Sequence, residues 1–311
     1  MLHFENMNDA LKTFKALSAP IRIEIMKILY AEKDCNLNDI AKRLGLTNSA
    51  ISLHVRQLEQ SGLIEVHTTS GKRGSMKLCK PKYDMLVVDM APKGGEALSY
   101  TDDIEIGYYS GCKVNPTCGI ATHTQIIGEF DDPRYFSYPE RFQAAVLWMG
   151  SGFIEYNLPN RLKPLETLTE FQISFELSSE CPGICEDYPS DIHFSVNGIP
   201  LGFWISPGDF GARRGRFSPD WWNTNVNHYG LLKTLTVNRE GTFIDGGNRI
   251  SSVTVEELGI NHQSPIVFRF SVPEDAVNCG GLTLFGSGFG DYNQPIRLRL
   301  SYHSQRQNLN L

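Results

Sequence analysis

The sequence predicts a multidomain α+β protein, with a small helical domain at the front and a larger antiparallel β-sandwich, jelly-roll-like, behind it. Three observations carry this. The hydrophobic period is helical as far as about residue 62 and alternating afterwards. Charge is divided: residues 1–82 hold 13 Lys/Arg against 8 Asp/Glu, whereas the remainder holds 16 against 27, an asymmetry hidden in the net charge of −6. With 311 residues, 41% of them hydrophobic, the chain has material for two separate cores. The expected organisation is a first domain at 1–82, a linker at 83–103 and the sandwich at 104–311. An acidic domain repels polyanions, so any nucleic-acid contact belongs to the cationic front.

Asn8 to Leu17 reads as a helix carrying Leu11, Phe14 and Leu17, and Pro20 suits the first turn of the next, whose apolar residues are Ile21, Ile23, Ile25, Met26, Ile28 and Leu29. This is more apolar surface than a three-helix core needs, and the surplus fits either a dimer contact or packing against the second domain. Asn36, with Asp39 three residues on, is an N-cap and reciprocal cap for a helix Leu37 to Leu44, whose apolar face is Leu37, Ile40, Ala41 and Leu44. Gly45 takes the left-handed conformation that ends a helix, and Thr47 caps a second one with Ile51, Val55 and Leu58 inward. Gly62 stops it.

Two short helices so joined leave the start of the second in solvent. Thr47, Asn48, Ser49 and Ser52, with His54 and Arg56 further along, are all hydrogen-bonding types, which suits the major groove of DNA. Ser49, Ser52 and His54 are the expected readers or positioners, and Thr47 and Asn48 are expected at phosphate. For His54 the alternative is packing against the preceding helix. Leu63, Ile64 and Val66 then lead through Thr68-Thr69-Ser70-Gly71-Lys72-Arg73-Gly74 to Met76 and Leu78, a β-hairpin with a cationic tip. Lys72 and Arg73 suit phosphate or minor-groove contact, against the plainer reading of a solvated turn. The layout is that of a winged helix-turn-helix, whose expected partner is a double-stranded DNA operator.

Three linked runs strengthen this: Leu17-Ser18-Ala19-Pro20-Ile21-Arg22-Ile23, then Asp39-Ile40-Ala41-Lys42-Arg43-Leu44, then Ala50 through Ile64. Over roughly the first quarter of the chain they resemble the ArsR-type winged-helix repressors of bacteria, in line with the motif order such domains share. The resemblance implies a homodimer on a two-fold operator, with a ligand that weakens the DNA complex. Many members hold a metal through a Cys-x-Cys run before the turn, or through Asp and His on a terminal dimer helix. Here only Cys35 stands at the first place and no such Asp/His set follows the wing, so metal sensing at those sites is not expected.

Met85-Leu86-Val87-Val88 is strand-like and Ala91-Pro92-Lys93-Gly94-Gly95 breaks regular structure, hence the linker. Beyond it Phe171, Ile173, Phe175 and Leu177 alternate, as do Ile192, Phe194 and Val196, the stretch Val267, Phe268, Phe270 and Val272, and Ile296, Leu298 and Leu300. Asn197-Gly198 marks a hairpin. Among the loops, Trp204, Asp209, Arg213, Arg214, Trp221 and Trp222 place three of the four tryptophans beside two arginines. That composition suits a small-molecule effector, a carbohydrate first: indoles stack on the C–H faces of a sugar while Asp, Asn and Arg take its hydroxyls. Asp245 with Asn248, and Asp291 with Tyr292, are polar loop residues that complete the site if they share one end of the sandwich. The plainer reading makes the tryptophans packing residues and the Gly-Asp turns ordinary connectors. The carboxy-terminal part also resembles the sandwich attached to a subgroup of ArsR-like regulators.

Cysteine supports a competing effector. Cys112 with Cys118, and Cys181 with Cys185, are two close pairs that would make a tetrahedral zinc site if their loops met, and a metal- or redox-responsive regulator follows from that reading. Otherwise no cofactor is expected. The many carboxylates, among them Glu129, Asp131, Asp132, Glu186, Asp187, Asp191 and Asp209, leave a glycosidase open as a third class, yet there is no nucleophile elbow, phosphate loop or metalloprotease helix, and an enzyme is not expected. No charged-then-apolar leader or bilayer-length apolar run is seen, so a cytoplasmic protein without membrane contact is expected.

Overall fold

The computed structural model describes residues 2–4, 7–32, 35–71, 74–83, 85–88, 90, 98–223 and 225–304. They form two units, Met1–Gly95 and Glu96–Leu311. The first contains β1 (Leu2–Phe4), α1 (Met7–Leu17), α2 (Pro20–Ala31), β2 (Cys35–Asn36), α3 (Leu37–Leu44), α4 (Asn48–Gln60), β3 (Ile64–Gly71), β4 (Gly74–Pro81) and β5 (Leu86–Val88). Helix starts follow from capping. The Asn36 side chain accepts from Asp39 N at 3.0 Å and the Thr47 hydroxyl accepts from Ala50 N at 3.3 Å, satisfying amides that no helical carbonyl reaches. Gly45, at φ 64°, closes α3 in the left-handed region.

Ile25, Leu29, Ile40, Ile51 and Leu58 are fully buried between the helices, and β4 lies between β2 and β3 at their side. The apolar surplus of α1 has a definite place. Ala10, Thr13 and Ala16 form its buried face, small enough for close helix approach, which leaves Met7, Leu11 and Phe14 exposed at 46%, 49% and 38%.

The second unit is built from β6 (Leu98–Ile104), β7 (Gly111–Ala121), β8 (Val146–Leu158), β9 (Glu166–Ser178), β10 (Ser190–Val196), β11 (Ile199–Ser206), β12 (Leu231–Asn238), β13 (Gly241–Ile244), β14 (Asn248–Ser251), β15 (Ile266–Val272), β16 (Leu282–Phe285) and β17 (Ile296–Ser304). Hydrogen bonding runs β6-β17-β9-β12-β13-β14 through one layer and β7-β8-β15-β10-β11 through the other, with every pairing antiparallel. Strand β16 pairs with both β8 and β9, so a single sheet bends around one core and nearly closes. Phe175 of β9 lies between the layers, its ring centroid 5.4 Å from Phe194 and 4.8 Å from Phe270.

The stretch expected as linker is narrower than 83–103. Leu86–Val88 pairs in parallel with Leu2–Phe4, and Leu98–Ile104 pairs with Ile296–Tyr302 near the end of the chain. Strand β6 is half polar because it is an edge strand, and its partner is remote in sequence, so no local pattern marks it. No helix among the described residues is long and apolar enough to cross a membrane.

Candidate nucleic-acid interface and ligand cavity

Helix α4 turns Ile51, Val55 and Leu58 inward and presents Thr47, Asn48, Ser49, Ser52 and Arg56 to solvent. Its attitude is held by Arg22 of α2, whose guanidinium donates to Gln57 Oε1 on α4 and, at 2.8 Å, to the Lys15 carbonyl at the end of α1. His54, expected as a reader or as a packing residue, is half-buried and its Nδ1 is enclosed without a hydrogen-bond partner, which favours packing. Strands β3 and β4 form the predicted hairpin, while Lys72 and Arg73 lie outside the described residues.

The second unit carries a cavity of about 240 Å³ on the outer face of β8, away from the main core. Three strands set its floor, through Thr117 of β7, Trp148 of β8 and Thr283 of β16. Gly119 of β7 faces Trp148 of β8, which faces Thr283 of β16, which faces Ser178 of β9. Glycine is required at 119: a Cβ there would sit 2.1 Å from the Trp148 indole, which lies across it. Trp222, Val226 and Asn227 come from the loop after β11, and Phe130 and Asp131 from the loop after β7. Trp148 meets Trp222 edge-on at 5.8 Å and Phe130 at 5.7 Å, so three rings wall the space. Trp222 is itself only 5% exposed and is anchored by its Nε1 on the Asn227 carbonyl at 2.8 Å.

The polar side of the cavity is Glu180, just past the end of β9. It accepts from Thr117 Oγ1 at 3.1 Å and from Thr283 Oγ1 at 2.7 Å. Burial pushes its carboxyl up to about 8, against the two hydroxyl donors, and the neighbouring Asp209 and Asp131 charges push the same way. Behind the wall Asp209, fully buried, accepts from Cys181 N at 3.0 Å and is raised by burial to about 7.

Of the ten loop residues expected at an effector site, only Trp222 lines this cavity. The loops after β11 and β16 do meet, but their charges are used internally. Arg213 forms a two-pronged pair with Asp291 and stacks on Tyr229 at 3.9 Å, and Arg214 reaches Asp220 at 2.6 Å and the Trp222 carbonyl at 3.2 Å. The amides of Asp291 and Tyr292 donate to buried Glu176 at 2.8 and 2.9 Å. Trp221 donates to the His123 carbonyl. Asp245 binds Lys233 at 2.7 Å, and that ammonium covers Trp204 at 4.8 Å, while Asn248 lies exposed at the start of β14. These ten were chosen for being polar or aromatic in loops, a property that loop-stapling residues share with ligand-binding ones.

Trp148, Phe130, Glu180, Thr117, Thr283 and Asn227 were missed by the sequence reading.

The four paired cysteines do not converge either. Cys112 sits half-buried beside the Arg141 charge, Cys118 and Cys181 are buried and raised to about 12 by that burial, and Cys185 bonds the Asp187 carbonyl at 3.3 Å. Among the described residues no three His, Cys, Asp or Glu are grouped to hold a metal ion. The expected four-thiol zinc set is therefore not assembled, because Cys112 and Cys118 lie at separate points along one extended strand.

The raised carboxyls have a consequence for stability. Glu180 and Asp209 keep protons in the folded state that the unfolded chain releases near pH 4, so their contribution is full below about pH 4 and is lost as pH rises towards 7–8. Thermal unfolding is accordingly expected to show Glu180→Gln gaining stability relative to the natural chain as pH rises from 5 to 8. A difference in Tm independent of pH over that range would show that Glu180 does not bind this proton.

The helix pair, its caps and the hairpin define a winged helix-turn-helix DNA-binding domain, and residues 19–65 match the family described as "Winged helix-turn-helix DNA-binding". Among individual proteins, an uncharacterised HTH-type transcriptional regulator of Methanocaldococcus jannaschii is 39% identical over 57 residues, which is 18% of this chain and 59% of that protein. The chain thus spans about three fifths of that relative's length. Among solved structures, an endo-1,3-beta-glucanase from Streptomyces sioyaensis aligns with 69% of this chain and 98% of its own, at 9% identity and a TM-score of 0.25, a likeness too weak to carry an argument.

Proposed function

We propose that the chain is a DNA-binding transcriptional regulator, a dimeric ArsR-like repressor whose hold on its operator is modulated by a carbohydrate bound in the β-sandwich. The observation that carries the DNA reading is the exposed hydrogen-bonding stripe on α4, set on an apolar core by two side-chain caps within a domain that matches a DNA-binding family. The exposed Met7, Leu11 and Phe14 stripe on α1 supplies an apolar face for a second copy. For the effector, the walled cavity pairs indole faces with hydrogen-bonding groups, the combination a sugar needs. An effector acts here by its different affinity for DNA-competent and DNA-incompetent states, a coupling of roughly 1–3 kcal/mol in typical regulators.

The test is fluorescence anisotropy of the full chain on labelled duplexes, including the promoter upstream of its own reading frame. Affinity is expected to fall steeply with salt and to change by about 5–150-fold with the right sugar. Absence of salt-sensitive binding to any duplex would falsify the regulator reading.

A further inference from the structure

The cavity is acidic and lacks a counter-cation. Glu180 and Asp131 line it, and among the described lining residues there is no Lys, Arg or His. Arg213 and Arg214 of the neighbouring loop are committed to Asp291 and Asp220. Asn227, 5% exposed, adds a carbonyl oxygen with no donor, because its amide nitrogen is taken by Ser178 Oγ at 2.6 Å and the Ser179 carbonyl at 2.9 Å. The cavity therefore sets the carboxyl groups of Glu180 and Asp131 beside three aromatic rings. Its chemical complement is a group that only donates and carries positive charge, since an ammonium pairs with carboxylates and is attracted to ring faces.

Size limits the rest of the ligand. An apolar cavity of about 150 Å³ accepts benzene, so about 240 Å³ takes on the order of ten heavy atoms, close to one sugar ring. We propose that the carbohydrate held in this cavity carries a protonated amino group, its ring against Trp148 and Trp222 and its ammonium directed at Glu180. This rests on the reading of the cavity as the sugar site. A ligand ammonium favours the ionised form of Glu180, which burial otherwise keeps protonated, whereas a sugar phosphate or sugar acid finds no cation among the described lining residues to receive it.

Isothermal titration calorimetry of the full chain with D-glucosamine, D-glucose, N-acetyl-D-glucosamine and tetramethylammonium tests this. Glucosamine is expected to bind about tenfold or more tighter than the two uncharged sugars, the equivalent of one charge-assisted contact, and Glu180→Gln should remove most of that preference. Should that variant not fold, Asp131→Asn serves instead: Asn tolerates the positive φ of 62° and keeps the acceptor for Cys118 N, and the same loss of preference is expected. Equal affinity for glucosamine and glucose overturns the amine and leaves the sugar reading standing. Tetramethylammonium binding as tightly as glucosamine overturns the sugar reading, and no binding by any of the four overturns both.

Discussion

Replacing Lys72 and Arg73 together by Ala is expected to weaken binding to every duplex and to make the log–log salt dependence shallower by nearly two, because each lost phosphate contact removes about 0.9 from the slope. The argument is electrostatic: the two cations fall in sequence between β3 and β4, within the first 82 residues, which carry the positive excess. Over the range from about 50 to 200 mM salt the difference between the two proteins should shrink as the screening rises. Ser52→Ala is the contrasting change. Ser52 lies exposed on α4, so its loss should alter preference among operators by about 1–3 kcal/mol at one base pair while leaving the slope alone. An unchanged slope in the double variant would mean that the wing has no phosphate role, and an unchanged sequence preference in Ser52→Ala would remove that residue from base reading.

Phe175→Ala is expected to cost the β-sandwich about 3–5 kcal/mol, a large part of the stability of a typical domain. The ring is fully buried and touches aromatic partners on two strands of the facing layer, Phe194 on β10 and Phe268 and Phe270 on β15. No smaller side chain refills that space without moving both layers. The winged-helix core, from Ala16 to Cys79, shares no residue with the sandwich core. Calorimetry of the full chain should therefore show the sandwich transition lowered or lost and the winged-helix transition in place. A common shift of both would show that the two cores unfold as one.

Legibility in the sequence followed the range of the interactions. The turn between α3 and α4 was readable because Asn36, Gly45 and Thr47 act on amides and carbonyls within four residues. The inward positions Ile51, Val55 and Leu58 were readable for the same reason, since helical period is a local property. For His54 the sequence left reading and packing both open, because it lies at the border between the inward and the exposed faces of α4. In the sandwich, alternation revealed the strands but not their neighbours. Val146-Leu147-Trp148-Met149 is apolar throughout, so nothing local tells which residues enter the main core and which face the cavity.

The amino-acid sequence alone determined that a cationic winged helix precedes an acidic β-sandwich, since caps, periodicity and charge are properties of short stretches. Only the tertiary structure decided where the cavity forms, by bringing Gly119, Trp148, Thr283 and Ser178 into one row across four strands and by using the loop arginines up in internal pairs. The physical reason is register: pairing between distant segments sets which face each side chain takes, and a slip of one residue would turn Trp148 from the cavity into the core.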